Sequence, residues 1–290
     1  MNLIKAKKSL CIFAICSIIF LMLFSILYFF NRKDDYLRIF MLTPTISVIL
    51  ARMISREGLK GLYLRPNLKG NIKWYLSAYF LTPVIAYLGA CLYFLVFKRE
   101  FDLLGSFYAV KMCISNEKEY IKVLCTMIPL AMVVNPLMGL IQAFGEEFAW
   151  RGYLLPKLEK VFHFQIRKAV IMNGFIWGIW HSPFIAMGYN YGIDYPLLGV
   201  MAMIIFCTIV GIIESYLFYK TKSVWCPSLF HASMNAINTW RPSLLFMSTT
   251  PNFFWGPDLG GFIGGIGFII MSGIIFLFLP SESGIKWEDR

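Results

Sequence analysis

The chain has 290 residues, of which 58% are hydrophobic and only 15% charged. A soluble globular domain carries about 25% charged and 45–50% apolar residues. The composition therefore excludes an ordinary soluble domain and predicts an all-α fold, a polytopic membrane helical bundle. The net charge of +11 comes from Lys and Arg in short loops between apolar runs. That pattern indicates attraction to anionic membrane lipids and argues against nucleic acid as a partner.

The hydropathy pattern predicts about eight transmembrane helices. The first follows Lys5, Lys7 and Lys8 without a small-residue cleavage site, so we expect it to stay uncleaved. The second is the weakest, because it crosses only if Arg38 and Arg52 reach the interfaces. The fourth carries a proline kink and runs on towards a basic segment. The predicted spans are 10–30, 36–54, 74–97, 120 towards 157, 169–187, 196–219, 224–240 and 259–279.

The distribution of basic residues predicts an orientation. With eight spans and a cytoplasmic N-terminus, two thirds of the 27 Lys and Arg residues lie inside, which fits the positive-inside rule. We therefore expect both termini in the cytoplasm and a multi-pass cell membrane location. The predicted organisation is one integral membrane domain, with N-terminal helices in 1–120, a core in 121–240, and a loop plus last helix in 241–290.

Three clusters of polar side chains interrupt the predicted spans, and they are Glu146 with Glu147 and Arg151, Trp177 with His181, and His231 with Asn235. Counted at about 1.5 Å per residue from the nearest cytoplasmic basic residue, each cluster lies roughly 14–20 Å deep. Ionisable groups cost about 2.5–3.5 kcal/mol each at mid-bilayer. A matched depth therefore favours one shared polar pocket on the cytoplasmic side of the midplane.

Helix periodicity assigns different roles to the two adjacent carboxylates. Glu147 and Arg151 are four residues apart, so they share a helix face and can form an ion pair. Glu146 lies about 100° around the helix. Glu146 therefore remains available as a general base.

The histidines suggest the remaining roles. His231 and Asn235 are also four residues apart, so both side chains can stabilise a developing oxyanion. Trp177 shares a face with His181 and is expected to fix its ring, so that His181 can help Glu146 hold a water molecule.

Each cluster also has a structural interpretation. A buried Glu–Arg pair is purely structural as often as it is functional. A histidine in a membrane helix is often a packing residue. Glu214 is predicted to reach the interface near Lys220, and Asn173 is predicted to make an interhelical hydrogen bond.

The three clusters resemble, in order, the motifs of the CPBP family of intramembrane proteases, which includes CAAX proteases and bacteriocin-processing proteins. EEFAWR at 146–151 is similar to EExxxR, WGIWH at 177–181 to FxxxH with Trp in place of Phe, and HASMN at 231–235 to HxxxN. The resemblance covers roughly 121–238. It implies a multi-span fold with a polar cavity facing the cytoplasm.

The resemblance also implies peptide-bond hydrolysis, with Glu146 and His181 activating water and His231 and Asn235 forming the oxyanion site. We expect Trp177, together with a further residue, Trp150, to line the substrate pocket. The implied substrates are hydrophobic or prenylated, CAAX-like peptides or bacteriocin-type leader peptides.

Three alternatives remain. Glu146, His181 and His231 could bind zinc, but the sequence has no HExxH motif, and a full metal ligand cannot also be a free base. We therefore favour a mechanism without a metal or other cofactor. The protein could instead be a non-proteolytic immunity or scaffold protein that uses the cavity only for binding. A transporter is a weaker interpretation, because no repeated half is evident.

Overall fold

The computed structural model describes residues 3–58, 61–163 and 165–280 and contains helices but no strand among them. The predicted all-α fold is confirmed. Lys60, Lys286 and Arg290, which contributed to the predicted charge bias, lie outside the described residues. The α-helices are α1 Leu3–Asn31, α2 Asp34–Phe40, α3 Thr43–Ser55, α4 Ile72–Leu76, α5 Thr82–Val96, α6 Phe107–Lys111, α7 Glu117–Met138, α8 Leu140–Ala149, α9 Leu155–Phe162, α10 Ile166–Ala186, α11 Pro196–Thr221, α12 Trp225–Thr239, α13 Pro242–Phe246 and α14 Ile266–Phe278.

Three short helical segments of other geometry complete the described chain. Ser77–Leu81 and Trp150–Leu154 are π-helical, and Lys98–Glu100 is a 3₁₀ turn. The first joins α4 to α5, and the second joins α8 to α9, so each pair runs on as one irregular helix.

Six helical segments of the described residues are long and apolar enough to cross a membrane, judged by length and composition, and they are Leu3–Asn31, Asp34–Ser55, Ile72–Val96, Glu117–Met138, Ile166–Ala186 and Pro196–Thr221. They match six of the predicted spans, including the weak second one. The helices at the seventh and eighth predicted spans, α12 and α14, are shorter, with 15 and 13 residues. The predicted eighth span begins only at Ile266 because the glycines before it form turns.

The predicted fourth span is divided into two helices at Gly139, and its kink at Pro136 remains a prediction. α7 ends at Met138, where the Gly139 N–H donates to the carbonyl oxygen of Asn135, and α8 begins at Leu140. Pro136 has no N–H to continue the ladder, and glycine is a poor helix former. The two features fall within one turn of each other, which explains the break.

The chain divides into two compact units. The first contains Met1–Trp74, Ile141–Ser228 and Ser272–Arg290, and the second contains Tyr75–Leu140 and Leu229–Met271. The division of the sequence at 120 and 240 remains a prediction.

In the first unit, glycines let α10 and α11 pack backbone to backbone. A Cβ atom at Gly174 would lie 2.7 Å from the Cα of Thr208, and one at Gly178 would lie 2.5 Å from the Cα of Ile204. Gly174 and Gly178 are one turn apart, so they form a bare strip along α10. Small residues of this kind allow close helix approach in membranes.

The second unit has its own small core, in which Tyr120 of α7 is fully buried. The Tyr120 hydroxyl donates to the carbonyl oxygen of Leu245 in α13, at 2.8 Å. Asp258 accepts hydrogen bonds from the N–H and the hydroxyl of Ser243, at 2.9 and 2.6 Å. These bonds attach α13 to α7 and to the glycine-rich segment before α14.

Candidate functional site

Glu146 lies on α8 and is 1% exposed. Its Oε2 atom accepts a hydrogen bond of 2.6 Å from the indole Nε1 of Trp177, on α10. Gly145 allows α8 to approach the turn between α2 and α3, because a Cβ there would lie 2.6 Å from the carbonyl oxygen of Met41. The Thr45 hydroxyl also donates to the Gly145 carbonyl oxygen, at 2.8 Å. These contacts fix the backbone beside the carboxylate.

Arg151 joins two carboxylates. Its Nη1 atom lies 2.8 Å from Oε1 of Glu147, which is the predicted ion pair one turn back along the chain. Its Nη2 atom lies 2.5 Å from Oε2 of Glu214, on α11, and all three side chains are fully buried. The prediction that Glu214 reaches the interface near Lys220 is therefore wrong. The arginine gives this carboxylate a partner inside the protein, which removes the reason for it to extend towards the headgroups.

Gly211 makes room for the guanidinium. A Cβ at Gly211 would lie 3.0 Å from Nη2 of Arg151 and 3.3 Å from the Cα of Gly174. Gly211 and Glu214 are three residues apart, so both lie on the face of α11 that meets Arg151. The sequence alone did not point to Gly211, and it placed Glu214 at the interface. A lone acid in an apolar helix with a glycine one turn before it is the signal that could have found them.

Trp177 contacts both halves of this charged group. Its ring face lies under Arg151, with the Cζ atom 4.4 Å from the ring centroid, and its edge donates to Glu146. Trp177 is 2% exposed. The sequence predicted a packing role for Trp177 but not this hydrogen bond, because the FxxxH pattern has no N–H at this position.

His181 is partly buried, and Trp177 and Trp180 hold its ring. Its Nδ1 atom lies 2.9 Å from the carbonyl oxygen of Trp177. Because a carbonyl oxygen only accepts, this contact places a proton on Nδ1. The ring centroid lies 5.7 Å from that of Trp177 and 4.9 Å from that of Trp180, both in edge-to-face geometry.

The π-helical segment Trp150–Leu154 follows the two carboxylates directly. The N–H of Leu155 donates to the Trp150 carbonyl oxygen, five residues back. The side-chain amide of Asn173 donates to the same oxygen, at 2.8 Å, which is the predicted interhelical bond. Pro156 offers no N–H to restore α-helical bonding at the next position. The hydrogen bond from Asn173 thus attaches the π-helical segment to α10.

The Trp150 side chain is buried within the first unit. Its ring centroid lies 6.1 Å from that of Phe13 and 5.6 Å from that of Trp180, both in edge-to-face geometry. The role of Trp150 in lining a substrate pocket remains a prediction.

His231 and Asn235 belong to the second unit, one turn apart on α12. The His231 side chain is buried, and Asn235 is exposed. Their oxyanion role remains a prediction.

The segment that carries all three motifs matches one protein family. Residues 128–237 match the family described as type II CAAX prenyl endopeptidase Rce1-like. This segment is similar to CAAX proteases. The resemblance predicted from the motifs is confirmed over these residues, and no curated protein matches the chain.

The Rce1-like match agrees with the rest of the molecule. Six long apolar helices and a CAAX-type family segment together indicate a multi-pass membrane protein. Over residues 128–237 the chain is similar to peptidases of the CAAX type. Within the Rce1-like segment, the first unit holds a buried carboxylate, a histidine whose Nδ1 contacts a carbonyl oxygen and a buried arginine with two acidic partners.

Proposed function

We propose that the protein hydrolyses a peptide bond within the membrane, using a water molecule activated by Glu146. One observation carries the proposal, namely that two adjacent buried carboxylates have different partners. Glu147 is neutralised by Arg151, whereas Glu146 accepts a hydrogen bond from the uncharged indole of Trp177. A neutral donor leaves the negative charge on Glu146. Glu146 can therefore accept a proton from water as it attacks the scissile carbonyl carbon.

His181 assists Glu146 in this mechanism. With its proton on Nδ1, the neutral imidazole can accept a hydrogen bond from the water at Nε2. His231 and Asn235 donate to the oxyanion that forms from the scissile carbonyl oxygen. The collapse of the tetrahedral intermediate needs a proton on the leaving amine, and Glu146 returns the proton that it took from water.

No metal ion or other cofactor takes part in the proposed mechanism. The bond from Trp177 to Oε2 of Glu146 supports this, because an N–H donor occupies one of the carboxylate oxygens that would face a cation. The sequence also has no HExxH motif. A strong chelator should leave cleavage unchanged. Loss of cleavage that added zinc restores would replace this mechanism with a metal-dependent one.

The proposed substrates are hydrophobic or prenylated, CAAX-like peptides or leader peptides of the bacteriocin type. Anionic lipids are the proposed membrane partners, and no nucleic acid is involved. We propose that both termini face the cytoplasm of a bacterial cell. Fusing a reporter that is active only outside the cytoplasm to the C-terminus tests this orientation, because the fusion should stay inactive.

The central experiment compares Glu146→Gln with the wild-type protein and with one matched variant in lipid nanodiscs. The probes are a labelled peptide ending in farnesyl-Cys, two aliphatic residues and Ser, and the same peptide without the farnesyl group. Because general-base catalysis contributes about 10²–10⁴-fold, Glu146→Gln should lower turnover by that factor. Glu117→Gln, the same change at an exposed site, should leave turnover unchanged. Wild-type turnover by folded Glu146→Gln would refute the proposal.

A second arm covers substrates that these probes do not represent. Membrane proteomes of cells with the wild-type protein and with Glu146→Gln are compared for uncleaved precursors. We expect at least one membrane-associated protein to keep extra residues only in cells with the variant. Identical proteomes, together with uncleaved probes, would count against proteolysis.

A further inference from the structure

Trp177 touches three residues of the candidate site with three different parts of its structure. The indole Nε1 donates to Glu146 at 2.6 Å, the ring face lies 4.4 Å from Cζ of Arg151, and the carbonyl oxygen lies 2.9 Å from Nδ1 of His181. A phenylalanine at position 177 would keep the second and third contacts. A phenylalanine would lose the hydrogen bond to Glu146, because only the indole has an N–H to donate.

We propose that Trp177 is a positioning residue that fixes the orientation of the Glu146 carboxylate. The proposal rests on the proposed role of Glu146 as the general base. A carboxylate rotates about its Cγ–Cδ bond unless a neighbour holds one oxygen. The indole holds Oε2, so the lone pairs of Oε1 keep one direction, and the base stays aligned with the water.

The hydrogen bond is of a strong kind. Its donor–acceptor distance of 2.6 Å joins a carboxylate to a donor in a site where both side chains are buried. Hydrogen bonds to ionised groups are short and about twice as strong as neutral ones. They are stronger still where water is excluded. An arrangement of this strength restricts rotation of the carboxylate.

Arg151 strengthens the donor. A guanidinium over an indole face attracts the π electrons, which makes the N–H at the ring edge more acidic. Glu147 and Glu214 hold that guanidinium in place through its two Nη atoms. The positive charge of Arg151 thus acts on Glu146 through Trp177, without a direct ion pair that would consume the base.

The neighbouring tryptophan provides a matched control. Trp180 lies on the same helix and is also buried, and its Nε1 makes no hydrogen bond to any described residue. Its ring stacks on Phe40, with centroids 4.0 Å apart and an interplanar angle of 9°. Trp180→Phe therefore removes the same atoms as Trp177→Phe but no bond to Glu146.

The kinetic test compares these two variants on a cleaved peptide. Trp177→Phe should lower kcat by roughly tenfold, because a hydrogen bond to a charged group is lost, and leave KM within about twofold. Trp180→Phe changes the packing around His181 but no bond to Glu146, so it should lower kcat less than Trp177→Phe does. Equal kcat values for the two variants would overturn the proposal.

A spectroscopic test does not depend on cleavage. In protein with ¹⁵N-labelled tryptophan, Trp177→Phe identifies the Trp177 indole signal by its loss, and Trp180→Phe identifies the control signal. Glu146→Gln should shift the Trp177 proton signal upfield, because an amide oxygen is a weaker acceptor than a carboxylate. The Trp180 signal should move less. An unmoved Trp177 signal would overturn the proposal.

The outcomes separate this proposal from the proposed function. Wild-type cleavage by Glu146→Gln refutes the general-base role whatever the indole signal does. An inactive Glu146→Gln with wild-type kcat in Trp177→Phe refutes the positioning role alone. If Trp177→Phe does not fold, β-(3-benzothienyl)alanine at position 177 keeps both rings and lacks the N–H, and the same tenfold loss is expected.

Discussion

Arg151 and Glu214 form an ion pair inside the protein, with Nη2 and Oε2 2.5 Å apart and neither side chain exposed. Glu147 occupies the other Nη atom of the same guanidinium, so one buried cation serves two buried anions. Removing one partner from such a group leaves an uncompensated charge, which costs far more than the net contribution of the intact pair.

Arg151→Met should therefore lower stability strongly, by about 3–5 kcal/mol, because two carboxylates lose their cation. The measurement is thermal unfolding in detergent micelles, followed by circular dichroism. Arg38→Met is the control, because that arginine is 70% exposed and pairs loosely with Asp35, at 3.4 Å. We expect at most about 1 kcal/mol there.

A rescue variant tests whether the two unpaired carboxylates cause the loss of stability. Adding Glu147→Gln and Glu214→Gln to Arg151→Met removes both negative charges and should recover part of the unfolding temperature. If Arg151→Met unfolds at the temperature of Arg38→Met, the two ion pairs do not hold the site together.

Gly211→Ala should destabilise the first unit and lower cleavage. The new Cβ would press on Nη2 of Arg151, at 3.0 Å, and on Gly174, at 3.3 Å. Arg151 cannot move aside without losing an ion pair, so we expect an overpacking cost of about 1–3 kcal/mol. Gly273→Ala in α14 is the control, because nothing lies within 4 Å of that Cβ and alanine favours a helix. A stabilised Gly211→Ala would contradict the crowding around Arg151.

Gly145→Ala should reduce cleavage more than Gly139→Ala. At Gly145 the new Cβ would meet backbone atoms, the carbonyl oxygen of Met41 at 2.6 Å and the Cα of Leu42 at 2.9 Å. The helix that carries Glu146 must then shift, and a small misplacement of a catalytic group costs about 10²-fold in rate. At Gly139 the nearest atom is 3.5 Å away, an ordinary contact. Equal turnover by the two variants would show that α8 tolerates the shift.

The Lys157–Glu57 pair predicts a pH dependence of stability. Nζ lies 2.5 Å from Oε1 with both side chains nearly buried, and burial lowers the pKa of Lys157 from its ordinary 10.5. Between the lowered pKa and 10.5, the unfolded chain binds more protons than the folded protein. The free energy of unfolding should therefore rise with pH across that interval.

The double variant Lys157→Met with Glu57→Gln should lose this rise, because the lysine is absent and the second change leaves no unpaired carboxylate. Lys118→Met, at an exposed site on α7, should keep it. Denaturant midpoints measured at a series of alkaline pH values provide the comparison. An identical pH slope in the wild type and the double variant would exclude Lys157 as its source.

The sequence predicted the contacts and segments that depend only on residues near one another in the chain. Glu147 and Arg151 are one turn apart, so periodicity alone was sufficient for their ion pair. The three ordered motifs were sufficient for the family resemblance. The long apolar runs predicted about eight spans, and six of them are helices of spanning length among the described residues, because hydropathy depends only on composition over about 20 residues.

The sequence did not predict the contacts that side chains make between different helices. Glu214 was placed at the interface because its partner comes from another segment of the chain. The indole bond from Trp177 to Glu146 also crosses between helices. The break at Gly139 was missed because a proline in a membrane helix usually causes a kink, and a nearby glycine decides whether the helix ends.

The π-helical segment Trp150–Leu154 changes the direction in which the side chains of the following helix, α9, point. A π turn holds one residue more than an α turn, so α9 is rotated by about 100° from where an unbroken α-helix would carry it. Lys157 faces Glu57 in this rotated setting. The extra residue thus sets the rotation of α9 about its axis. Deleting one residue there would turn Lys157 to a different side of the helix while leaving the composition of the segment almost unchanged.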